Sequence, residues 1–189
     1  MNLVFVRHGQ SIWNLENKFT GWVDIGLSDK GIQEAIKAGK TLIENNFKPE
    51  ICFTSYLSRS IETSNHLLNE YEQALVNEIS IIKRWQLNER HYGSLTGLNK
   101  DEMKKKLGED KIHIFRRSWD KPPEPLNKNN PYHPLNIEIY KDIPKDKIPD
   151  TESLKDTYER VIPYFKREIE KKISENIIVS AHGNSIRSL

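Results

Sequence analysis

Two histidines in this chain each stand between a short apolar run and a glycine. Leu3 to Val6 leads into Arg7-His8-Gly9, and Ile177 to Val179 leads into Ala181-His182-Gly183-Asn184. A third run, Ile51 to Phe53, ends at Thr54-Ser55 with Arg59 four residues on, and Glu89-Arg90 with Tyr92 follow a fourth, Ile79 to Ile82. If these runs are parallel strands, one rim of the sheet gathers two histidines, several arginines and a carboxylate. That set suits phosphoryl transfer. A neutral imidazole offers a lone pair near pH 7, where a hydroxyl needs a base. Arginine forks can hold two phosphate oxygens at once and stabilise charge developing on the transferred group. A carboxylic acid can protonate the leaving oxygen and later deprotonate the incoming hydroxyl. A glycine after each histidine admits close approach of the ligand, and a helix starting there adds N–H donors for an anion.

Each feature alone has a plainer explanation. An Arg-His-Gly triplet after a strand is commonly a core histidine, and Glu89 beside Arg90 reads by itself as a surface ion pair. Arg116-Arg117 and Lys104 to Lys106 read as solvated helix faces, and Trp13, Trp22 and Trp85 as packing residues. Metal binding by His8 and His182 is the chemical rival. It is disfavoured because no carboxylate or third histidine falls at the usual ligand spacing.

The elements that would position these residues follow from periodicity. Leu3 to Val6, Ile51 to Phe53, Ile79 to Ile82 and Ile177 to Val179 read as strands, those at 3–6, 51–53 and 177–179 as buried ones. Ser28 is placed to cap a helix with Ile32, Ala35, Ile36, Leu42 and Ile43 on one side, and Ser58 to cap one carrying Ile61, Leu67, Leu68 and Tyr71. Asn99 and Glu102 open a short helix through Leu107, and Ile112, Phe115 and Trp119 mark another helical stretch. Seven of the nine prolines lie in 122–149, which predicts a long irregular loop or lid rather than an interdomain linker. Thr151 or Ser153 starts a long amphipathic helix reaching Ile173, which Pro163 should kink or restart. Strands alternating with helices predict a largely parallel α/β sheet with helices on both faces and ligands at the carboxyl ends of the strands.

With 189 residues, the chain is expected to form one domain. A net charge of +2 with 30% charged residues does not suggest a general nucleic-acid binder. A single cysteine, Cys52, excludes an internal disulfide and a cysteine-rich zinc site. No signal peptide and no membrane-length apolar stretch is legible, so a cytoplasmic protein is expected.

Four segments taken together resemble one family: RHGQSIWNLENKFTGWVDIGLSDKG at 7–31, TSYLSRSIET at 54–63, WQLNERHYGSLTGLNK at 85–100 and SAHGNSIRSL at 180–189. They are similar to the cofactor-dependent phosphoglycerate mutases of the histidine phosphatase superfamily. LNERHYG followed by GLNK is more specific than Arg-His-Gly. The resemblance implies a three-layer α/β/α fold with a mostly parallel central sheet, one catalytic domain over 1–189 with a Pro-rich loop or lid at about 120–150, and a further strand, helix and tail beyond Leu189. It implies that His8 becomes a phosphohistidine, that Glu89 is the acid/base, and that His182, Arg7 and Arg59 steady the transferring group. Asn14, Gly183 and Asn184 would touch that phosphate. Thr20, Gly21, Arg90, Tyr92, Lys100, Arg116 and Arg117 would hold the substrate's carboxylate and second phosphate. The implied reaction interconverts 3-phosphoglycerate and 2-phosphoglycerate, primed by 2,3-bisphosphoglycerate, without a metal, in a homo-oligomer. A phosphatase or bisphosphoglycerate mutase using the same histidine, and a non-catalytic phospho-ligand module, are the alternatives. The resemblance also makes the interval between Arg59 and Glu89 slightly long, with the excess expected around Glu72 to Ile79.

Overall fold

Four short runs rich in β-branched residues pair into one sheet. In the computed structural model, which describes residues 3–189, they are β1 (Leu3–Arg7), β2 (Ile51–Thr54), β3 (Ser80–Lys83) and β4 (Ile177–Ala181). The order is β1-β4-β2-β3 and every pairing is parallel. Phe5 stands opposite Val179, and Val179 opposite Phe53. β2 and β4 are central and buried at every position, as strands flanked on both edges and covered on both faces must be.

Among the described residues there are eight α-helices: α1 (Ile12–Leu15), α2 (Asp29–Glu44), α3 (Ser58–Leu68), α4 (Gln73–Val76), α5 (Lys100–Leu107), α6 (Glu109–Arg117), α7 (Leu154–Tyr164) and α8 (Gly183–Ser188). The two-residue alternation of the central strands assigns the faces. Ile51, Phe53, Ile177, Val179 and Ala181 meet Tyr164, Phe165, Ile169 and Ile186 on the side of α7 and α8. Cys52 and Ile178 meet Leu67 and Leu68 of α3 and Ala38 and Leu42 of α2 on the other. Each of these fully buried Ile, Val or Phe side chains contributes about 2 kcal/mol of apolar transfer. The three-layer α/β arrangement is therefore present, with an all-parallel sheet.

Several local expectations need correction. β1 is not a buried strand: it is at the sheet edge, paired with β4 alone, and Phe5 is 38% exposed. Ser58 does not cap α3. Leu57 holds the cap position without a side-chain bond, and Asp24 does the capping instead, accepting from the Ser58 N–H at 2.6 Å and its hydroxyl at 2.8 Å. A carboxylate from a distant loop outcompetes the local serine because it accepts two donors and carries charge at the positive helix end. Trp119 lies past the end of α6, half-exposed against Tyr158. The helix opened by the Ser153–Asp156 capping box is α-helical only to Tyr164, then continues as a π-turn (Phe165–Ile169) and a 3-10 turn (Glu170–Lys172). Pro163 supplies no N–H to the carbonyl of Glu159, and the register shifts one residue pair later. The interval between Arg59 and Glu89 contains the one-turn helix α4.

The proline-rich stretch folds into three 3-10 turns, Pro134–Asn136, Glu138–Tyr140 and Lys145–Lys147. Tyr140 and Ile143 are buried with Trp22 and Leu57, and the Tyr140 hydroxyl donates to the Trp22 carbonyl. The ends of the stretch are tied by Leu126 N–H to the Asp150 carbonyl at 2.9 Å. Among the described residues, no helix is long and apolar enough to cross a membrane.

Candidate active site

Parallel pairing brings the carboxyl ends of β1, β2 and β4 to one edge, and the next residues of the chain meet there. The His8 backbone N–H donates to the Ala181 carbonyl at 3.0 Å, extending the β1–β4 ladder by one step. Its Nδ1 lies 2.6 Å from the Gly9 carbonyl oxygen. A carbonyl only accepts, so Nδ1 carries the hydrogen and Nε2 keeps the lone pair. Gly9 is fixed in turn: its N–H donates to Thr63 Oγ1 at 3.1 Å, and that hydroxyl donates to the Arg59 carbonyl at 2.7 Å. A Cβ on Gly9 would stand 2.2 Å from the Gly31 carbonyl oxygen, so α2 reaches the strand end only against a glycine. Burial, with the charges of Arg59 and Arg7, pushes the His8 imidazole down to about 3 against the Gly9 bond that raises it. The ring is neutral at physiological pH.

His182 packs beside it, ring centroids 4.9 Å apart at 55°. Its Nε2 is 2.8 Å from Ser55 Oγ, which also accepts the Leu57 N–H at 3.1 Å. Burial, then the charges of Arg59 and His8, hold His182 well below the ordinary imidazole range. Arg59 is buried on α3 and spends both terminal nitrogens on the 21–23 loop. Nη1 donates to the Val23 carbonyl at 3.0 Å and Nη2 to the Gly21 carbonyl at 2.8 Å. Gly21 needs its φ of +56°, and a Cβ there would come within 3.2 Å of the Tyr92 nitrogen.

Glu89 approaches from the loop after β3. Its Oε1 accepts three N–H groups: Arg90 backbone at 2.7 Å, Asn184 Nδ2 at 2.8 Å and Asn184 backbone at 3.3 Å. Asn184 Nδ2 also donates to the Tyr92 hydroxyl at 3.1 Å. The first-turn N–H of α8 is thus directed at this carboxylate. The 86–91 loop is held from behind by Arg160 of α7, whose Nη1 donates to the Gln86 carbonyl at 2.7 Å and Nη2 to the Glu89 carbonyl at 2.9 Å. Arg160 also pairs with buried Glu152, which accepts the His91 N–H at 2.8 Å.

A pocket at this edge is lined by Arg7, Glu89, Tyr92, Arg116, Arg117, Gly183 and Asn184, all foreseen, together with Ile186 and Arg187, which were not. Arg90 is buried beside it. Nη2 donates to the Arg116 carbonyl at 3.2 Å and its carbon lies 4.8 Å from the Tyr92 ring centroid, while Nε and Nη1 have no partner. Thr20 Oγ1 is likewise buried and unpartnered. Burial, then the neighbouring Arg116 charge, pushes Lys100 down to about 8, as expected of crowded cations. Arg117 is exposed at the rim. Other expected residues, among them the nucleophile candidate His8, are not in the lining of this pocket. Asn14 Oδ1 accepts the Ser11 N–H at 3.3 Å in the capping box of α1. His8 lines a smaller recess toward α2 with Glu34 and Thr63, and Arg7 borders both cavities.

The missed residues differ in legibility. Arg187 is three residues past Asn184 in a run that starts a helix, so helical spacing could have found it, as its 3.0 Å bond from Nη1 to Asn184 Oδ1 shows. Thr63, Glu152 and Arg160 carried no local signal.

Residues 3–133 match the histidine phosphatase superfamily (branch 1). The chain is 58% identical over 190 residues to a 2,3-bisphosphoglycerate-dependent phosphoglycerate mutase of Pelagibacter ubique (strain HTCC1062), covering 100% of this chain and 78% of that protein. It is 50% identical over 189 residues to the protein of the same name from Hydrogenobaculum sp. (strain Y04AAS1), covering 99% and 75%. Among solved structures, a phosphoglycerate mutase from Bacillus anthracis str. Sterne superposes with TM-score 0.69 at 22% identity (98% of this chain, 76% of that one). Mycobacterial hydrolase 1 superposes with TM-score 0.72 at 20% (99% and 75%), and both likenesses are of fold. With its two strand-end histidines, its facing carboxylate and these relatives, the chain belongs to the histidine phosphatase superfamily, in the family of the 2,3-bisphosphoglycerate-dependent phosphoglycerate mutases.

Proposed function

We propose that this chain interconverts 3-phosphoglycerate and 2-phosphoglycerate by passing a phosphoryl group through His8. The observation that carries the reading is a neutral His8 whose Nδ1 hydrogen is committed to the Gly9 carbonyl, leaving Nε2 as the nucleophile. 2,3-Bisphosphoglycerate, when bound, supplies the phosphoryl group that primes His8. The residues fit such an anion, because Arg90 Nε and Nη1 and Thr20 Oγ1 are buried with no partner of their own. The proposed reaction needs no metal.

The roles proposed here are those that the family resemblance implies. His8 Nε2 attacks phosphorus in line with the leaving sugar-acid oxygen, and Glu89 gives that oxygen its proton from Oε2. In the return step Glu89 takes the proton of the incoming hydroxyl as the bond to His8 breaks. His182 and the charges of Arg7 and Arg59 steady the equatorial oxygens, with Asn14 Nδ2, Gly183 and Asn184 completing that side. Thr20, Gly21, Arg90, Tyr92, Lys100, Arg116 and Arg117 hold the carboxylate and the second phosphate. Arg7, exposed and bordering both cavities, closes on the phosphate from the solvent side. One catalytic domain, a cytoplasmic site of action, homo-oligomeric assembly, and the absence of nucleic-acid or membrane partners belong to the same reading.

The test is conversion of 3-phosphoglycerate with and without trace 2,3-bisphosphoglycerate, monitoring free phosphate and acid-labile phosphoprotein. Stimulated conversion with a phosphoprotein that His8→Ala abolishes is the expected result. Phosphate release without conversion would make the chain a phosphatase, and a phosphoprotein surviving in His8→Ala would move the nucleophile elsewhere.

A further inference from the structure

We propose that Arg187 is a positioning residue for Glu89, acting through the side-chain amide of Asn184. The inference rests on the reading of Glu89 as the group that moves the proton. A carboxamide presents an acceptor on one side and two donors on the other, and it can bind either way round. Here Arg187 Nη1 donates to Asn184 Oδ1 at 3.0 Å. A guanidinium has donors only, so it tolerates the amide in one orientation. That orientation aims Nδ2 at Glu89 Oε1 (2.8 Å) and at the Tyr92 hydroxyl (3.1 Å). Turned over, the amide would set its oxygen against the carboxylate and lose the bond to Glu89, while the Tyr92 hydroxyl could turn to donate instead.

The consequence is a sorted carboxyl group. Oε1 is occupied by the N–H of Arg90 and by both nitrogens of Asn184, while no donor among the described residues reaches Oε2. Oε2 borders the pocket beside Arg7 and Gly183: a Cβ on Gly183 would lie 4.0 Å from it and 3.7 Å from Arg7 Nε. Arg187 thereby selects which oxygen of Glu89 carries the proton. Arg187 is itself exposed at the edge of the pocket, so the rival is direct grip on the substrate's anionic groups.

A double-mutant cycle separates the two. Arg187→Ala is expected to lower kcat for 3-phosphoglycerate about tenfold, with KM within about twofold, as a mis-set general acid would. In an Asn184→Ala background the same change should cost nothing further. A raised KM with kcat intact, or losses that multiply in the double variant, would overturn the proposal in favour of direct binding. Independent of turnover, the Asn184 side-chain amide protons, assigned by their loss in Asn184→Ala, should exchange with solvent at least about tenfold faster in Arg187→Ala. Unchanged exchange would also overturn it. If Arg187→Ala does not fold, Arg187→Gln and Arg187→Lys carry the same cycle, Lys restoring part of kcat. Wild-type chain without mutase activity would refute the proposed function alone, since amide exchange still decides the role of Arg187.

Discussion

At the scale of single residues, the site is a set of groups whose protonation is fixed by burial and by neighbours. Glu89→Gln keeps the shape and the acceptor at Oε1 but removes the proton carrier. It should lower kcat roughly 10²–10⁴-fold while leaving the Kd for 3-phosphoglycerate nearly unchanged. Normal turnover of the variant, measured in the coupled assay, would remove Glu89 from the proton path. Lys100 gives a pH prediction. Its pKa is pushed down to about 8, so its charge is lost as pH rises through that value. Affinity for the anionic substrate should then weaken above about pH 8, with KM rising while kcat holds. In Lys100→Arg, which stays charged, the alkaline rise should vanish, and a persistent rise would assign it to another group.

At the scale of elements, the site depends on loops that reach across the sheet to steady helices they do not adjoin in sequence. Asp24 caps α3 from 34 residues away, and α3 carries Arg59, whose fork returns to the same loop at Gly21 and Val23. Asp24→Ala should therefore cost about 1 kcal/mol in urea denaturation, the ordinary value of a lost cap. It should also lower activity more than that loss of stability explains. A variant as stable as wild type would show the cap to be replaceable by water. Arg160 does the corresponding work for the loop that carries Glu89. Arg160→Met leaves Glu152 buried without its cation and should cost about 3–5 kcal/mol. Denaturation midpoints test this, and a loss below about 1 kcal/mol would mean that Glu152 is repaired by protonation or by water.

At the scale of the whole molecule, three buried neutral histidines make the fold sensitive to acid. His8 and His91 are pushed from 6.5 to about 3, chiefly by burial, and His182 is lowered in the same direction. The unfolded chain binds these protons below about pH 6.5 and the folded chain does not, so stability rises with pH across that window and is lost as pH falls from about 6.5 toward 3. Urea denaturation at stepped pH should show midpoints dropping through this range, on top of the usual carboxylate effect near pH 4. Substituting His91 with Gln should flatten part of the decline. The proline-rich stretch belongs to this scale too. None of its residues lines the pocket of Arg7 and Glu89, and its Tyr140 and Ile143 buttress the 21–23 loop from outside.

Local chemistry by itself determined a good part of this protein. Apolar runs ending in Arg-His-Gly and His-Gly-Asn specified parallel strands delivering two histidines to one edge, because strand burial and strand-end ligand binding are both written in a few consecutive residues. Ser28, Asn99 and Ser153 announced their helices, since a cap bonds to backbone two or three residues away. Tertiary structure decided whatever rests on contacts between distant segments. It put β1 at an edge, because strand order is set by how the whole sheet packs and not by a strand's own composition. It gave the cap of α3 to Asp24 instead of Ser58, directed the Arg59 fork to backbone carbonyls, and set Arg160 and Glu152 beneath the Glu89 loop. The choice of which Glu89 oxygen is left open is likewise made by Asn184 and Arg187 from the far end of the chain. Hydrogen-bond direction is a property of two partners, and a sequence displays only one of them at a time.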